Sequence, residues 1–383
     1  MINLIRRIRA LVANVFFSVL RMFFYVFRIK KNRILFMSFY GRQYSCNPRA
    51  IYEGLSQLKL DFEYVWVVRS NDLPIPGKFK SCRYRSLKYY YYLFTSRFVI
   101  INTGLANDMV FRKRQIVIET WHGGGCYKKV GIGKNYSNDF DRWLLKKRSG
   151  RLSYFISSSR YFTKKTIRDF YAYDGDVLEI GMPRNDLLFD KEECKKRNLT
   201  VRKKLGLDND EKVVLYAPTY RDLGHEYDEL DWDLLKPAFQ KMFNGKKVIL
   251  AYRGHHKEKK KAVKGVLDLS SYHDMQDLLA MADVLITDYS SSIWDFSLTL
   301  KPCFLFIPDY EDYNRERGFD VLPKKWGFPY AMSNKELLDK IDSFDKEDFI
   351  KEMKKHQEKL GSFENGTATK RVIDLILEKM NEA

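Results

Sequence analysis

The run Trp121-His122-Gly123-Gly124-Gly125, with Lys128 and Lys129 close behind, is the first place in this 383-residue chain where residue types suggest a reaction. It follows the apolar run Ile116–Thr120, which reads as a strand, and the C-terminal ends of strands are where open α/β sheets bind ligands. An imidazole there is suited to general-base work near neutral pH. Three glycines allow close backbone approach to a ligand, and the lysines attract phosphate. A tight turn with a structurally bonded histidine is the plainer reading of the same residues.

A second constellation is Ile286-Thr287-Asp288-Tyr289-Ser290-Ser291-Ser292, leading into Ile293-Trp294-Asp295-Phe296. Strand, small polar turn and helix in that order leave unpaired N–H groups and the positive end of the helix dipole for an anion. Simple N-capping needs only one of the three serines, so Ser290, Ser291 and Ser292 together point to a diphosphate. The third, Tyr252-Arg253-Gly254-His255-His256, offers a guanidinium fork and a switchable imidazole to phosphate oxygens. The alternatives there are a metal pair, for which adjacent histidines lack the helical i, i+4 spacing, and a surface turn. A fourth, Tyr216-Ala217-Pro218-Thr219-Tyr220-Arg221-Asp222, opens a loop after a strand, and an ordinary βα turn would explain it equally well. In Gly181-Met182-Pro183-Arg184-Asn185-Asp186 the turn formers lead.

The elements that must position these residues alternate between strand and helix. Eleven apolar runs read as strands: Ile34–Phe39, Tyr64–Arg69, Phe98–Asn102, Ile116–Thr120, Tyr154–Ser158 and Val177–Gly181, then Val213–Thr219, Lys247–Arg253, Val266–Leu269, Val284–Asp288 and Pro302–Ile307. Continuous rather than alternating apolarity predicts parallel strands covered on both faces. Helices are expected over Pro48–Leu58, Lys88–Thr95, Ser159–Tyr171 and Met275–Met281, with a helical tail over Lys335–Met380. The βαβ order predicts doubly wound sheets, and the charged stretch Asp190–Lys204 is the best boundary between two Rossmann-like domains.

Composition narrows the class. Apolar residues at 45% and charged residues at 31% fit a folded globular chain and exclude a mostly disordered one. Five scattered cysteines give neither a disulfide framework nor zinc spacing, which points to a reducing compartment. The net charge of +19 favours polyanions: nucleic acid, anionic lipid or phosphate-rich substrates. Part of that excess flanks residues 10–27, which are apolar except for Asn14, Ser18 and Arg21. A helix of that length is about 27 Å long, marginal for a bilayer, and carries Arg21 inside it. No small-residue cleavage site follows. The expectation is a helix in the membrane interface, with Phe and Leu sunk and Arg on anionic headgroups.

Taken in order, the motifs resemble the CDP-glycerol:poly(glycerophosphate) glycerophosphotransferase family, whose members build teichoic acids and related polymers. The carriers are Ser38-Phe39-Tyr40-Gly41 with Asn47-Pro48, Thr120-Trp121-His122-Gly123, Gly181–Asp186, Tyr216–Asp222, Arg253-Gly254-His255, Thr287–Ser291 with Asp295, and Arg317-Gly318-Phe319-Asp320. Where many members have Thr-Pro-Leu-Lys after Trp-His-Gly, this chain has Gly124-Gly125-Cys126-Tyr127-Lys128. The resemblance implies a GT-B architecture, two Rossmann-like domains facing a cleft, behind an N-terminal membrane-associated helix. Its parts would be residues 1–31 (interface helix), 32–195 (acceptor domain) and 196–383 (CDP-donor domain closed by the C-terminal helices).

Carried over residue by residue, the resemblance makes His122 the general base. Arg253 and His255, with Ser290, Ser291 and Ser292, become ligands of the donor diphosphate. Thr219, Arg221 and Asp295 go to the nucleotide or donor loop, and Gly41, Gly123, Gly124, Lys128 and Arg184 to the acceptor side. The implied reaction transfers glycerol phosphate from CDP-glycerol to a hydroxyl of a lipid-linked acceptor and releases CMP. It would run peripherally at the cytoplasmic side of the cell membrane. No cofactor or metal site is required, although a divalent cation on the diphosphate is compatible with the chemistry. Lacking the long N-terminal region of some polymerases, the chain is expected to transfer, with chain lengthening left open. The alternatives are a CDP-ribitol-dependent transferase and a GT-B nucleotide-sugar glycosyltransferase. Nucleic-acid binding is disfavoured because no recognised binding module accompanies the charge.

Overall fold

The computed structural model describes residues 2–70, 72–133, 139–219, 229–254, 264–316 and 318–382, with side chains at residue 8 and from residue 11 onward. The chain divides into two units. Unit 1 comprises Met1–His122, Val130–Asp186 and Phe363–Ala383; unit 2 comprises Gly123–Lys129 and Leu187–Ser362.

Unit 1 is built on seven parallel strands: β1 (Lys30–Met37), β2 (Glu63–Val68), β3 (Lys80–Arg83), β4 (Ser96–Ile101), β5 (Ile116–Glu119), β6 (Tyr154–Ser157) and β7 (Asp176–Glu179). Their order is β3-β2-β1-β4-β5-β6-β7. Ile34–Met37, Val65–Val67 and Phe98–Ile101 have no exposed surface, as a sheet covered on both faces demands. The winding reverses between β1 and β4, so a crevice opens outside their carboxyl ends, at Ser38–Gly41 and Asn102–Gly104.

Unit 2 repeats the plan with β8 (Lys212–Tyr216), β9 (Val248–Tyr252), β10 (Val266–Asp268), β11 (Val284–Thr287), β12 (Cys303–Phe306) and β13 (Tyr330–Ala331). The order is β10-β9-β8-β11-β12-β13, all parallel, with the reversal between β8 and β11. All eleven strands expected from the apolar runs are present within one to three residues at each end, apart from Ile34–Phe39, whose strand begins earlier, at Lys30. The strands β3 and β13 carry no such run: β3 buries only Cys82, and β13 has two residues.

The unit boundaries correct the expected ones. The charged stretch is a helix, Lys191–Leu205, capped by Asp190 at its start and left-handed Gly206 at its end. It belongs wholly to unit 2, because Arg197 pairs with Asp277 (2.9 Å), Asn198 donates to the Ala280 carbonyl, and Arg202 reaches Asp283. The boundary therefore falls at Asp186/Leu187 instead of residue 195. The last helix, Ala368–Asn381, returns to unit 1 instead of closing the second domain. Asp186 accepts from the backbone N–H groups of Ala368 (3.1 Å) and Thr369 (2.6 Å), capping that helix from outside. Glu364 likewise accepts from Met182 N and Asn185 Nδ2. The Gly181–Asp186 motif is thus largely spent on fastening the C-terminal segment.

The N-terminal helix, Ile2–Phe23, runs on into a 3₁₀ turn, Phe24–Val26, and packs on unit 1 by one face. Phe17 stacks on Tyr90 and Phe24 packs on Phe94, both on helix Leu87–Thr95; Arg151 bonds the Asn14 side chain. Arg21, the charge inside the apolar run, donates to the Phe111 carbonyl at 2.5 Å. The other face is left apolar and exposed: Val12, Val15, Phe16, Val19, Met22, Phe23 and Val26. Among the described residues, no helix is long and apolar enough to cross a membrane.

Candidate active site

In unit 1 the crevice at the β1/β4 reversal holds His122. The turn after β4 supplies the Asn102 carbonyl, which lies 2.6 Å from His122 Nδ1. A carbonyl can only accept, so Nδ1 carries the proton and Nε2 is the basic nitrogen. The ring sits between Trp121 (centroids 4.4 Å) and Phe39 (5.4 Å). Phe39 belongs to a turn whose residues Phe39, Tyr40 and Gly41 all have positive φ. Two of these are aromatic, and such strain persists only where neighbours fix it. Asn102 Oδ1 accepts from Phe39 N (2.9 Å), and the Tyr40 hydroxyl reaches the carbonyls of Thr103 and Gly104. Gly41 is needed for packing: a Cβ would stand 3.1 Å from the Val67 carbonyl oxygen.

The strand-end turn bearing His122 is held from two further sides. Asn47, fully buried at the start of helix Cys46–Gln57, donates from Nδ2 to the carbonyls of Thr120 and Trp121, both at 2.9 Å. Its Oδ1 accepts from Arg184 N at 3.0 Å, which ties Arg184, itself buried, to the same turn. Glu119, with no exposed surface, accepts from Gly104 N (2.7 Å) and Trp121 N (2.8 Å). Burial pushes its carboxyl up to about 8 against the pull of those two donors. Neither Asn47 nor Glu119 stood out as a site residue in the sequence. The available signal was a carboxylate closing an otherwise apolar strand, Ile-Val-Ile-Glu.

Gly123, Gly124 and Lys128 lie in unit 2, where the expected acceptor loop is a plug in that unit's interior. A Cβ on Gly124 would stand 2.1 Å from Trp294 Cδ1, and one on Gly125 2.4 Å from the Tyr127 ring. At these two glycines the space a Cβ would need is taken by aromatic side chains of the protein. Buried Tyr127 packs on Trp326 and bonds His356 Nε2 at 2.9 Å. Burial lowers the His356 pKa to about 4, with Lys359 adding to the effect, so the ring is neutral at pH 7. Lys128 forms a β-bridge with Phe319 of the Gly318-Phe319-Asp320 motif; Arg317 lies outside the described residues.

The β8/β11 reversal of unit 2 gathers the other motifs. Asp288, 1% exposed, accepts from Thr219 N (2.8 Å), Thr219 Oγ1 (2.7 Å) and Tyr289 N (2.5 Å), joining the two strand-end loops. Ser290 Oγ accepts from Ser292 N (3.3 Å) and Ser292 Oγ (3.0 Å). Ser291, the N-cap residue of helix Ser292–Ser297, makes no side-chain cap bond, and Ser290 takes the first helical N–H instead, which leaves the Ser291 hydroxyl outside the capping. That helix has only six residues, which limits its dipole. Asp295 is buried and accepts from Gln276 Nε2 at 3.0 Å, on the helix Met275–Met281 that Asp274 caps.

Arg253 ends β9. Among the described residues its buried Nε meets no acceptor, and one terminal nitrogen makes a long 3.5 Å contact with the Tyr272 carbonyl. Burial lowers its pKa, opposed by the field of Asp274. A half-buried guanidinium with unspent donors is suited to an anionic ligand. His255 and Arg221 lie outside the described residues. Among those described, no group of three or more His, Cys, Asp and Glu is placed to hold a metal.

A parallel-sheet unit presenting a tautomer-fixed histidine, and a second presenting an under-bonded arginine beside a serine turn, describe a two-unit α/β transferase type. The chain belongs to the family described as CDP-Glycerol:Poly(glycerophosphate) glycerophosphotransferase, which residues 18–378 match. It is 30% identical over 376 residues to the teichoic acid glycerol-phosphate transferase of Staphylococcus aureus, covering 91% of this chain and 93% of the relative. It is 29% identical to the teichoic acid poly(glycerol phosphate) polymerase of Staphylococcus epidermidis over 92% of this chain, spanning 52% of that protein's length. The fold matches the wall teichoic acid polymerase TagF with a TM-score of 0.83 at 25% identity, covering 99% of this chain and 98% of that one.

Proposed function

We propose that this protein transfers glycerol phosphate from CDP-glycerol to a hydroxyl of a lipid-linked teichoic acid acceptor. The observation that carries the reading is the Nδ1–H bond from His122 to the Asn102 carbonyl, which keeps Nε2 basic. In the reaction Nε2 takes the acceptor hydroxyl's proton as its oxygen attacks the β-phosphorus of the donor. The new P–O bond makes the phosphodiester, the bond to the bridging diphosphate oxygen breaks, and CMP leaves. Arg253 and the Ser290–Ser292 turn supply donors to the diphosphate as charge shifts onto the leaving phosphate. CDP-ribitol is the rival donor, since nothing described in the site reads the length of the alditol. A divalent cation on the diphosphate is compatible with this chemistry.

The same reading includes a GT-B arrangement of the two units and a peripheral place on the cytoplasmic face of the cell membrane. The exposed Val12–Val26 face supports the second, because an apolar stripe on a docked helix is suited to an acyl-chain boundary. The experiment is incubation with CDP-glycerol or CDP-ribitol and a lipid-linked acceptor on anionic vesicles, scoring CMP. Release with CDP-glycerol supports the reading; turnover of a nucleotide sugar alone sinks it.

A further inference from the structure

We infer that Glu119 is a positioning residue for His122, acting through the two backbone turns that it joins. The inference rests on the proposed role of His122 as base. His122 depends on two segments: its own turn after β5, and the turn after β4 whose Asn102 carbonyl takes the Nδ1 proton. Glu119 grips both. One carboxylate oxygen accepts from Gly104 N, two residues past Asn102; the other accepts from Trp121 N, one residue before His122. The 2.6 Å imidazole bond is therefore spanned by a single side chain.

What Glu119 holds is strained. Trp121 has φ 53°, a left-handed conformation unusual for a bulky residue, and its ring packs at 4.8 Å from Tyr171. A relaxed Trp121 would turn the peptide leading into His122. The carboxylate is enclosed: Tyr40 and Tyr171 both feel its charge, and burial together with that charge raises both phenols. Arg148 opposes it at the same two tyrosines, and Asp108 adds to it at Tyr40. Asn47, by contrast, donates to carbonyls of the His122 turn and carries no charge. Glu119 is the member of this network whose ionisation can alter the turn.

Ionised, the carboxylate is the stronger acceptor for both N–H groups; protonated, it weakens its hold on them. Because its carboxyl is raised to about 8, the change falls in a range where the enzyme can be assayed. The wild-type turnover profile should therefore show a second rise near pH 8, above the rise expected for a histidine.

The test uses the full-length enzyme and Glu119→Gln, which keeps the shape and one acceptor but cannot ionise. Turnover at pH 8.5 should fall by up to about a hundredfold, the scale of a misplaced catalytic group, with KM for CDP-glycerol unchanged. The second rise should be absent. An activity-independent arm follows the amide signals of Gly104 and Trp121 and the His122 ring by NMR. In the wild type all three should report a step near pH 8 that Glu119→Gln lacks, with His122→Gln identifying the ring signal. This arm stands even if CDP-glycerol proves to be the wrong donor. Unchanged turnover and profile in a folded Glu119→Gln, or no step at the three signals, would overturn the inference. So would a variant whose thermal stability alone changes.

Discussion

The two units share one architecture and use it for opposite ends. Each has a parallel sheet whose winding reverses, and each places motif residues at strand ends at the reversal or one strand from it. In unit 1 that place holds an imidazole with one nitrogen committed to a carbonyl and a buried carboxylate spanning the turns. In unit 2 the carboxylate, Asp288, is saturated by N–H and O–H donors, and the polar group left under-bonded is a cation, Arg253. On the proposed function, the group left unsatisfied at each place decides whether it handles a proton or an anion.

The largest expected effect separates those roles. His122→Ala should lower turnover by about 10²–10⁴-fold while CDP affinity, measured by calorimetry, stays as it was. Arg253→Ala should do the reverse first, weakening CDP by about 1.5–3 kcal/mol, the worth of a charge-assisted bond. Ser290→Ala should cost only about 0.5–1.5 kcal/mol. Equal loss of CDP affinity in His122→Ala and Arg253→Ala would erase the division of labour.

Gly124→Ala comes next. Its Cβ would collide with Trp294, so the variant should lose about 1–3 kcal/mol of stability in denaturant melts. A variant as stable as the wild type but poor in acceptor use would restore the glycine loop as a ligand contact.

The remaining effects are in pH dependence, with opposite signs in the two units. Glu119 is raised from an unfolded value near 4.5 to about 8, so its favourable contribution is complete below 4.5 and is lost as pH rises through 8. His356 is lowered from near 6.5 to about 4, so its contribution is complete above 6.5 and is lost as pH falls through 4. The stability of Glu119→Gln relative to wild type should therefore improve between pH 5 and 9, and that of His356→Gln between pH 6.5 and 4. Parallel slopes in the two melts series would show that one of the burials is misassigned.

Much of this was legible in the residues themselves. Short continuous Val/Ile/Leu/Phe runs bounded by turn residues favour strands buried on both faces, hence parallel sheets, and the motifs fall at strand ends because Gly, Ser, Asn and Asp cluster there. His122, Arg253 and Ser290 could be picked out for that reason. The packing partners were not legible. Gly124 and Gly125 read as open backbone, yet the space at Gly124 belongs to Trp294, 170 residues away, and that at Gly125 to Tyr127, which is locked by His356. Arg21 read as a charge inside an apolar helix, and nothing near it in sequence announces the Phe111 carbonyl that accepts from it. Glu119 read as the last residue of a strand, because nothing local tells a carboxylate that two backbone N–H groups from different turns will meet it. Sequence determined the period of burial and the chemistry available at each turn. Only the tertiary fold decided which donors, rings and carbonyls would arrive there, since those partners come from distant strands, and with them which groups were spent on structure and which were left for ligands.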